Sequence, residues 1–158
     1  MPGRLVIVNP NAARVRDAGE RTQLAARLRS VLGRIDGVSP QIVETANATE
    51  TKPLVATAVA RGVTGVVGVG GDGTMRDIAA ALAGTELALG VVPAGSGNQV
   101  ASALGIPRSP TRAIDALDGA RPRIVDIGLV TTTFADGSTA SGHFLIGCGA
   151  GFDARLMA

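Results

Sequence analysis

Gly65-Val66-Val67-Gly68-Val69-Gly70-Gly71-Asp72-Gly73-Thr74 is an apolar run of strand length that breaks into a glycine-rich turn. A strand that is apolar on both its alternating faces is covered on both, the condition of a parallel sheet packed between helices. The turn opens onto a stretch from Thr74 to Leu82 that reads as a helix. The same order recurs downstream: Ala88–Val92 reads as a strand, 93–98 as a second glycine-rich turn, and a short helix follows, ending at Gly105.

Upstream the order is the same again. Arg4–Val8 is a short buried strand broken by Asn9-Pro10-Asn11. A helix follows from about Asp17 to Ile35, with Leu24, Leu28, Val31, Leu32 and Ile35 recurring as one apolar stripe. Gln41–Glu44 is a second short strand. Thr49 or Thr51 then caps a helix with Pro53 in its first turn and Leu54, Val55, Ala58 and Val59 as its apolar face, and Gly62 ends it. Alternating strands and helices predict an α/β fold, a doubly wound, mostly parallel sheet. In such sheets ligands bind beyond the carboxyl ends of the strands. The three loops richest in Gly, Asn and Pro, at 9–13, 70–74 and 93–98, all leave strand carboxyl ends.

After Arg123 the pattern changes. Ile124–Phe134 reads as a long strand, Asp136-Gly137 as a tight hairpin turn and Ser138–Ile146 as the returning strand. The expectation is an α/β domain over residues 1–122 and the opening strands of a C-terminal β domain over 123–158, cut short.

Composition limits what those loops can serve. The chain has 158 residues, 46% hydrophobic and only 2% aromatic, with no Trp or Tyr, so the core is built from Ala, Val, Leu and Ile. A binder of single-stranded nucleic acid stacks bases on aromatic rings, and this chain lacks them. Fifteen basic residues against 13 acidic leave a net charge of +2, too weak to make nucleic acid the partner. One cysteine, Cys148, and one histidine, His143, exclude an internal disulfide and a zinc cluster. Cys148 reads as a small buried hydrophobe and His143 as a packing or surface residue. The uncharged stretch 87–107 contains Pro93, Ser96, Asn98 and Gln99 and cannot form an unbroken membrane helix. Nor is there a signal-peptide core after Arg4. The expectation is a cytoplasmic protein.

Gly68, Gly70 and Gly73 satisfy a G-x-G-x-x-G spacing, but the next strand ends in Val91-Val92-Pro93 without the acidic residue that would hold a ribose, so the dinucleotide fingerprint fails. No Gly-Lys-Ser/Thr follows, so a Walker A loop fails as well. What remains is a glycine turn at a helix start, which offers backbone N–H groups and partial positive charge to phosphate oxygens. Thr74 can cap that helix or give its hydroxyl to phosphate. Asp72 is repulsive beside phosphate unless a cation lies between them; it either engages Mg²⁺ on a nucleotide or caps the turn. The Pro93-Ala94-Gly95-Ser96-Gly97-Asn98-Gln99 loop makes a second wall of the same cleft.

These loops, with Asn9-Pro10-Asn11-Ala12-Ala13, Val125-Asp126-Ile127-Gly128, Leu104-Gly105-Ile106-Pro107 and Gly149-Ala150-Gly151-Phe152-Asp153, resemble in order and spacing the diacylglycerol/sphingosine-kinase-type lipid kinase catalytic domain, a family related to NAD kinases and phosphofructokinases. The resemblance implies an ATP- and Mg²⁺-dependent phosphotransferase acting on a lipid hydroxyl at the membrane surface. It implies that Asn9, Pro10, Asn11, Ala12, Ala13, Thr45, Gly70, Gly71, Asp72, Gly73, Thr74, Met75, Arg76 and Ser96 surround ATP. It implies that Asp72 and Asp126 are catalytic and organise the metal, directly or through water. Ala13 stands where the family has glycine, Arg76-Asp77 where it has Asn-Glu, and Gln99 where it has a third carboxylate. A non-catalytic nucleotide-binding module and an NAD kinase are the alternative functions. The arginines of the first helix (Arg14, Arg16, Arg21, Arg27, Arg29, Arg34) form either a solvated face or a contact for anionic lipid, and the β region of 124–146 offers a surface for self-association.

Overall fold

The computed structural model describes residues 3–45 and 47–149. Four strands, β1 (Leu5–Val8), β2 (Gln41–Glu44), β3 (Val66–Gly70) and β4 (Leu89–Pro93), form an entirely parallel sheet in the order β2-β1-β3-β4. Side chains alternate across a strand. Val6, Val8, Val67, Val69 and Val92 therefore face α1 (Ala18–Asp36), through Leu28, Val31 and Leu32, and α5 (Pro110–Asp115), through Ile114. Leu5, Ile7 and Val66 face the other way, onto Val55 and Ala58 of α2 (Ala48–Ala60) and Ile78 and Leu82 of α3 (Asp72–Leu82). The doubly wound reading holds: helices cover both faces.

Several local details differ from the sequence reading. The cap of α2 is Asn47, whose side chain accepts from the Thr49 N–H at 3.0 Å, whereas Thr51 lies buried inside the helix. The amide oxygen of Asn47 reaches that N–H, so the cap lies two residues before Thr49 and four before Thr51. Val59 is exposed and outside the apolar face. Helix α3 begins at Asp72, so Thr74 sits within its first turn and does not cap it. Strand β4 runs one residue later than predicted, and β3 extends to Gly70, the first residue of the predicted 70–74 loop. A further helix, α5, follows α4 (Gln99–Ala103), started by Pro110.

The antiparallel hairpin is present but shorter: β5 (Gly128–Thr133) pairs with β6 (Thr139–Phe144), and residues 124–127 precede the strand rather than forming part of it. Gly128 faces Phe144 across the ladder, and the aromatic ring covers the glycine so closely that a β-carbon there would overlap it. Leu145 packs onto Met75, Val91, Val100 and Ala101, which joins the hairpin to the α/β core. Ile124, Leu129, Phe134 and Ile146 remain exposed. Cys148 is exposed, not buried. Of the Gly149–Asp153 motif, 150–153 lie outside the described residues.

Of the arginines read as the basic face of the first helix, Arg14 and Arg16 lie before α1 and donate to the carbonyls of Arg108 and Asn11. Arg21, Arg27 and Arg34 of α1 make ion pairs within the chain. Arg27 bridges Asp115 of α5, Arg34 approaches Asp118 at 3.6 Å, and Arg21 reaches Glu44 of β2 at 3.2 Å. The Arg27 guanidinium holds the Asp115 carboxyl below its ordinary value, chiefly through the side-chain hydrogen bond.

Candidate functional site

The loops that leave β1, β2, β3 and β4 converge at one edge of the sheet, because all four strands point the same way. The Asn9 N–H donates to Val69 O at 2.9 Å, and the Asn9 side-chain amide donates to Thr74 Oγ1 at 3.1 Å. The Asn9 Oδ1 accepts from the Asn11 N–H at 3.0 Å, folding residues 9–12 into a tight turn that buries Ala12 and leaves Asn11 and Ala13 exposed, with Pro10 half-buried. The Thr45 hydroxyl donates to Glu50 at 2.6 Å, which ties the end of β2 to the start of α2.

The loops after β3 and β4 are locked to one another. The Ala94 N–H donates to Gly70 O at 2.8 Å. A β-carbon on Gly95 would lie 2.6 Å from the Gly71 α-carbon, so the two backbones touch in a way only glycine allows. Asp72 Oδ1 accepts from the Val100 N–H at 2.9 Å and thereby caps α4 from a neighbouring loop. Asn98, buried and held at φ 53°, clamps Gly95 with both ends of its amide: Oδ1 accepts from the Gly95 N–H at 2.9 Å and Nδ2 donates to the Gly95 carbonyl at 2.6 Å. Asn tolerates this left-handed backbone better than most residues. Ser96 and Gly97 are left exposed at the tip.

Helix α3 has no side-chain cap, since its N-cap residue is Gly71. Its first-turn N–H groups are free to meet an anion, with the positive end of the helix dipole behind them. Beside this turn lies a polar cavity of about 170 Å³, lined by Asn9, Thr45, Asn47, Thr51, Thr74 and Asp77 among others. Asp72 Oδ1 is occupied by Val100, whereas a β-carbon on Gly97 would stand 3.1 Å from Oδ2. No group of three metal-ligating side chains occurs among the described residues. Among the described residues Asp72 Oδ2 makes no hydrogen bond, and a carboxylate oxygen of this kind can hold a divalent cation that keeps most of its waters.

Of the residues singled out from sequence, Asn9, Thr45, Asp72, Gly73, Thr74 and Ser96 belong to these converging loops. Met75 is buried beneath them and can offer only backbone. Arg76 is exposed and pairs with Asp77 at 2.8 Å. Asp126 is exposed, in the segment before β5, with no hydrogen bond or ion pair among the described residues. Sequence reasoning gave no role to Asn47, Asp77 or the Asn98 clamp. The capping preference of Asn was the only available signal for Asn47, and nothing local marked the partner of Asp72.

Residues 4–130 match the diacylglycerol kinase catalytic domain. The chain is 40% identical over 105 residues to a protein of Pseudomonas putida named "Probable lipid kinase YegS-like", covering 64% of this chain and 35% of that protein. It is 36% identical over 85 residues to a Mycobacterium tuberculosis protein named "Diacylglycerol kinase", covering 53% of this chain and 28% of that one. The crystal structure of a diacylglycerol kinase from Bacillus anthracis superposes with a TM-score of 0.69 at 23% identity, over 90% of this chain and 45% of the other, a likeness of fold. The chain thus spans about a third of the curated relatives it matches. With the sequence matched from the first strand into the hairpin, the chain belongs to the diacylglycerol kinase catalytic domain family.

Proposed function

We propose that this chain is the nucleotide-binding part of an ATP-dependent lipid kinase that passes the γ-phosphoryl group to a lipid hydroxyl, diacylglycerol-like or sphingoid. The observation that carries this reading is the uncapped α3 N-terminus, set between two loops that Asp72 fastens together. Phosphoryl transfer asks a protein mainly to position the phosphate chain and balance its charge. Here the first-turn amides of α3 would cradle phosphate oxygens, the Thr74 hydroxyl, held by Asn9, would orient one of them, and Ser96 would close the cradle from the β4 side. Asp72 Oδ2 would hold Mg²⁺, directly or through water, with Asp126 as the second carboxylate of the reading. The metal would supply charge neutralisation on the phosphates.

The acceptor lipid lies in a membrane, so the protein would work peripherally from the cytoplasmic side; no described helix is long and apolar enough to cross a bilayer. Residues 1–122 form the nucleotide-binding domain in this reading. The hairpin opens the second domain, and its exposed apolar side chains give a surface on which copies could associate.

A second reading, a nucleotide-binding module without lipid transfer, is favoured by Gln99 at the place of a carboxylate; NAD kinase is a weaker third. One experiment separates them. The chain is titrated with ATP with and without Mg²⁺, and, joined to the C-terminal part of a relative, is assayed for transfer of labelled γ-phosphate to diacylglycerol, sphingosine and NAD. Mg²⁺-dependent ATP binding with labelled lipid supports the kinase. Binding with no labelled product supports the module, and labelled NAD overturns the lipid assignment.

A further inference from the structure

We infer that the groove along α2 seats the α2 of a second copy of this chain, antiparallel and related to the first by a two-fold axis. The groove, of about 510 Å³, lies between α2 and the starts of β1 and β2. Strand β2 is an edge of the sheet, which leaves this flank open to a partner. The α2 wall consists of Glu50, Pro53, Leu54, Thr57, Ala58 and Arg61, spaced i, i+3, i+4, i+7, i+8 and i+11, so they form one face of the helix. Between its two charged ends this face is uncharged. Lys52, the one charged residue between them in sequence, lies about 200° around the helix from Glu50. The Thr57 hydroxyl donates to the Pro53 carbonyl at 2.8 Å, so its polar atom stays satisfied when covered.

Charge selects the occupant. The Glu50 carboxylate is held by two neutral groups, the Thr45 hydroxyl at 2.6 Å and the Asn47 amide at 3.4 Å, which fix it without neutralising it. Neither Glu50 nor Arg61 forms an ion pair among the described residues. They stand about 16 Å apart along the helix axis, at opposite ends of the groove. In a two-fold interface residue i meets residue j of the other copy, and j meets i. An antiparallel second α2 therefore sets Glu50 against Arg61 of the partner subunit and repeats the pair at the far end. It also lays Leu54 on Thr57 of the partner subunit, a large side chain over a smaller one, twice. A parallel second helix would instead put carboxylate on carboxylate and guanidinium on guanidinium. The face complements itself in one orientation only.

The test is sedimentation of the 158-residue chain carrying Leu129→Thr and Phe134→Ser, so that the exposed hairpin adds no association of its own. This background chain should show a reversible monomer–dimer equilibrium in the micromolar range. Glu50→Arg alone and Arg61→Glu alone each turn two attractions into two repulsions, and each should weaken the dimer at least about tenfold. An equal mixture of the two single variants should dimerise as tightly as the background chain, because every facing pair is opposite again, and so should the double variant. Thr57→Lys sets two like charges beside the two-fold axis; it should melt with the background chain and stay monomeric. A monomeric background chain overturns the inference. Single variants as tight as the background, or no recovery in the mixture and the double variant, overturn it as well. So does a Thr57→Lys chain that still dimerises, and this arm decides even where Glu50→Arg, which loses the Thr45 contact, fails to fold.

Discussion

The Asp72 carboxylate in the first turn of α3 accepts a hydrogen bond from the Val100 N–H of α4 at 2.9 Å, so one side chain joins the two glycine-rich loops. This bond separates the charge of Asp72 from its structural role. Asn in its place keeps an oxygen that can accept from Val100 but carries no charge. Asp72→Asn should stay within about 0.5 kcal/mol of wild-type stability, as for a retained hydrogen bond, while Asp72→Ala should lose about 1–2 kcal/mol. Both should weaken Mg²⁺·ATP binding more than Mg²⁺-free ATP binding. Thermal denaturation with calorimetric titration checks both halves, and equal Mg²⁺ dependence in Asp72→Asn and wild type removes the metal role from this side chain.

Two glycines of the loops should respond in opposite ways. Gly95→Ala places a β-carbon 2.6 Å from the Gly71 α-carbon, a backbone atom that cannot swing aside, and should cost about 1–3 kcal/mol along with nucleotide affinity. Gly73→Ala meets nothing within 4 Å and sits in a helix, where Ala is the better former, so stability should hold or rise. Its methyl group lies where phosphate would approach, and ATP binding should fall. Denaturant unfolding read beside binding distinguishes the two.

Asn98 makes two bonds to Gly95 from a buried position with positive φ. Asn98→Ala leaves both Gly95 groups without their partner and should cost about 2–3 kcal/mol. Asn98→Gly removes the backbone strain but not the lost bonds, so it should recover only part of that deficit. Full recovery by glycine would assign the whole role of Asn98 to its backbone angle.

The Arg27–Asp115 pair gives a pH signature. Because the folded carboxyl is held below its ordinary 3.8, its contribution to stability is present above that value and is lost as pH falls through the lower folded value. Asp115→Asn should therefore lower Tm slightly at neutral pH, and the difference from wild type should close in strong acid. Melting curves across that range check the sign.

The hairpin leaves Ile124, Leu129, Phe134 and Ile146 in solvent and two strand edges unpaired among the described residues. Sedimentation of the 158-residue chain should show concentration-dependent association, reduced by Leu129→Thr with Phe134→Ser. A clean monomer at all micromolar concentrations would remove this surface from consideration.

The alternation of apolar strands and amphipathic helices, and the placement of three glycine-rich loops at strand ends, were legible in the sequence because burial on both faces and turn chemistry are written locally. Gly65–Thr74 alone announced a covered strand entering a helix through an anion-ready turn, and the loop motifs carried the family. Which loops touch was not local. That depended on the strand order β2-β1-β3-β4, which sets β3 beside β4 and brings Asp72 to Val100 and Gly95 against Gly71. The same packing turned Arg27, Arg34 and Arg21 of α1 toward Asp115, Asp118 and Glu44 and set Asp77 beside Thr45 and Asn47. A hydrogen bond or ion pair between distant positions leaves no periodicity in the chain; it exists only once the sheet has closed the distance between them.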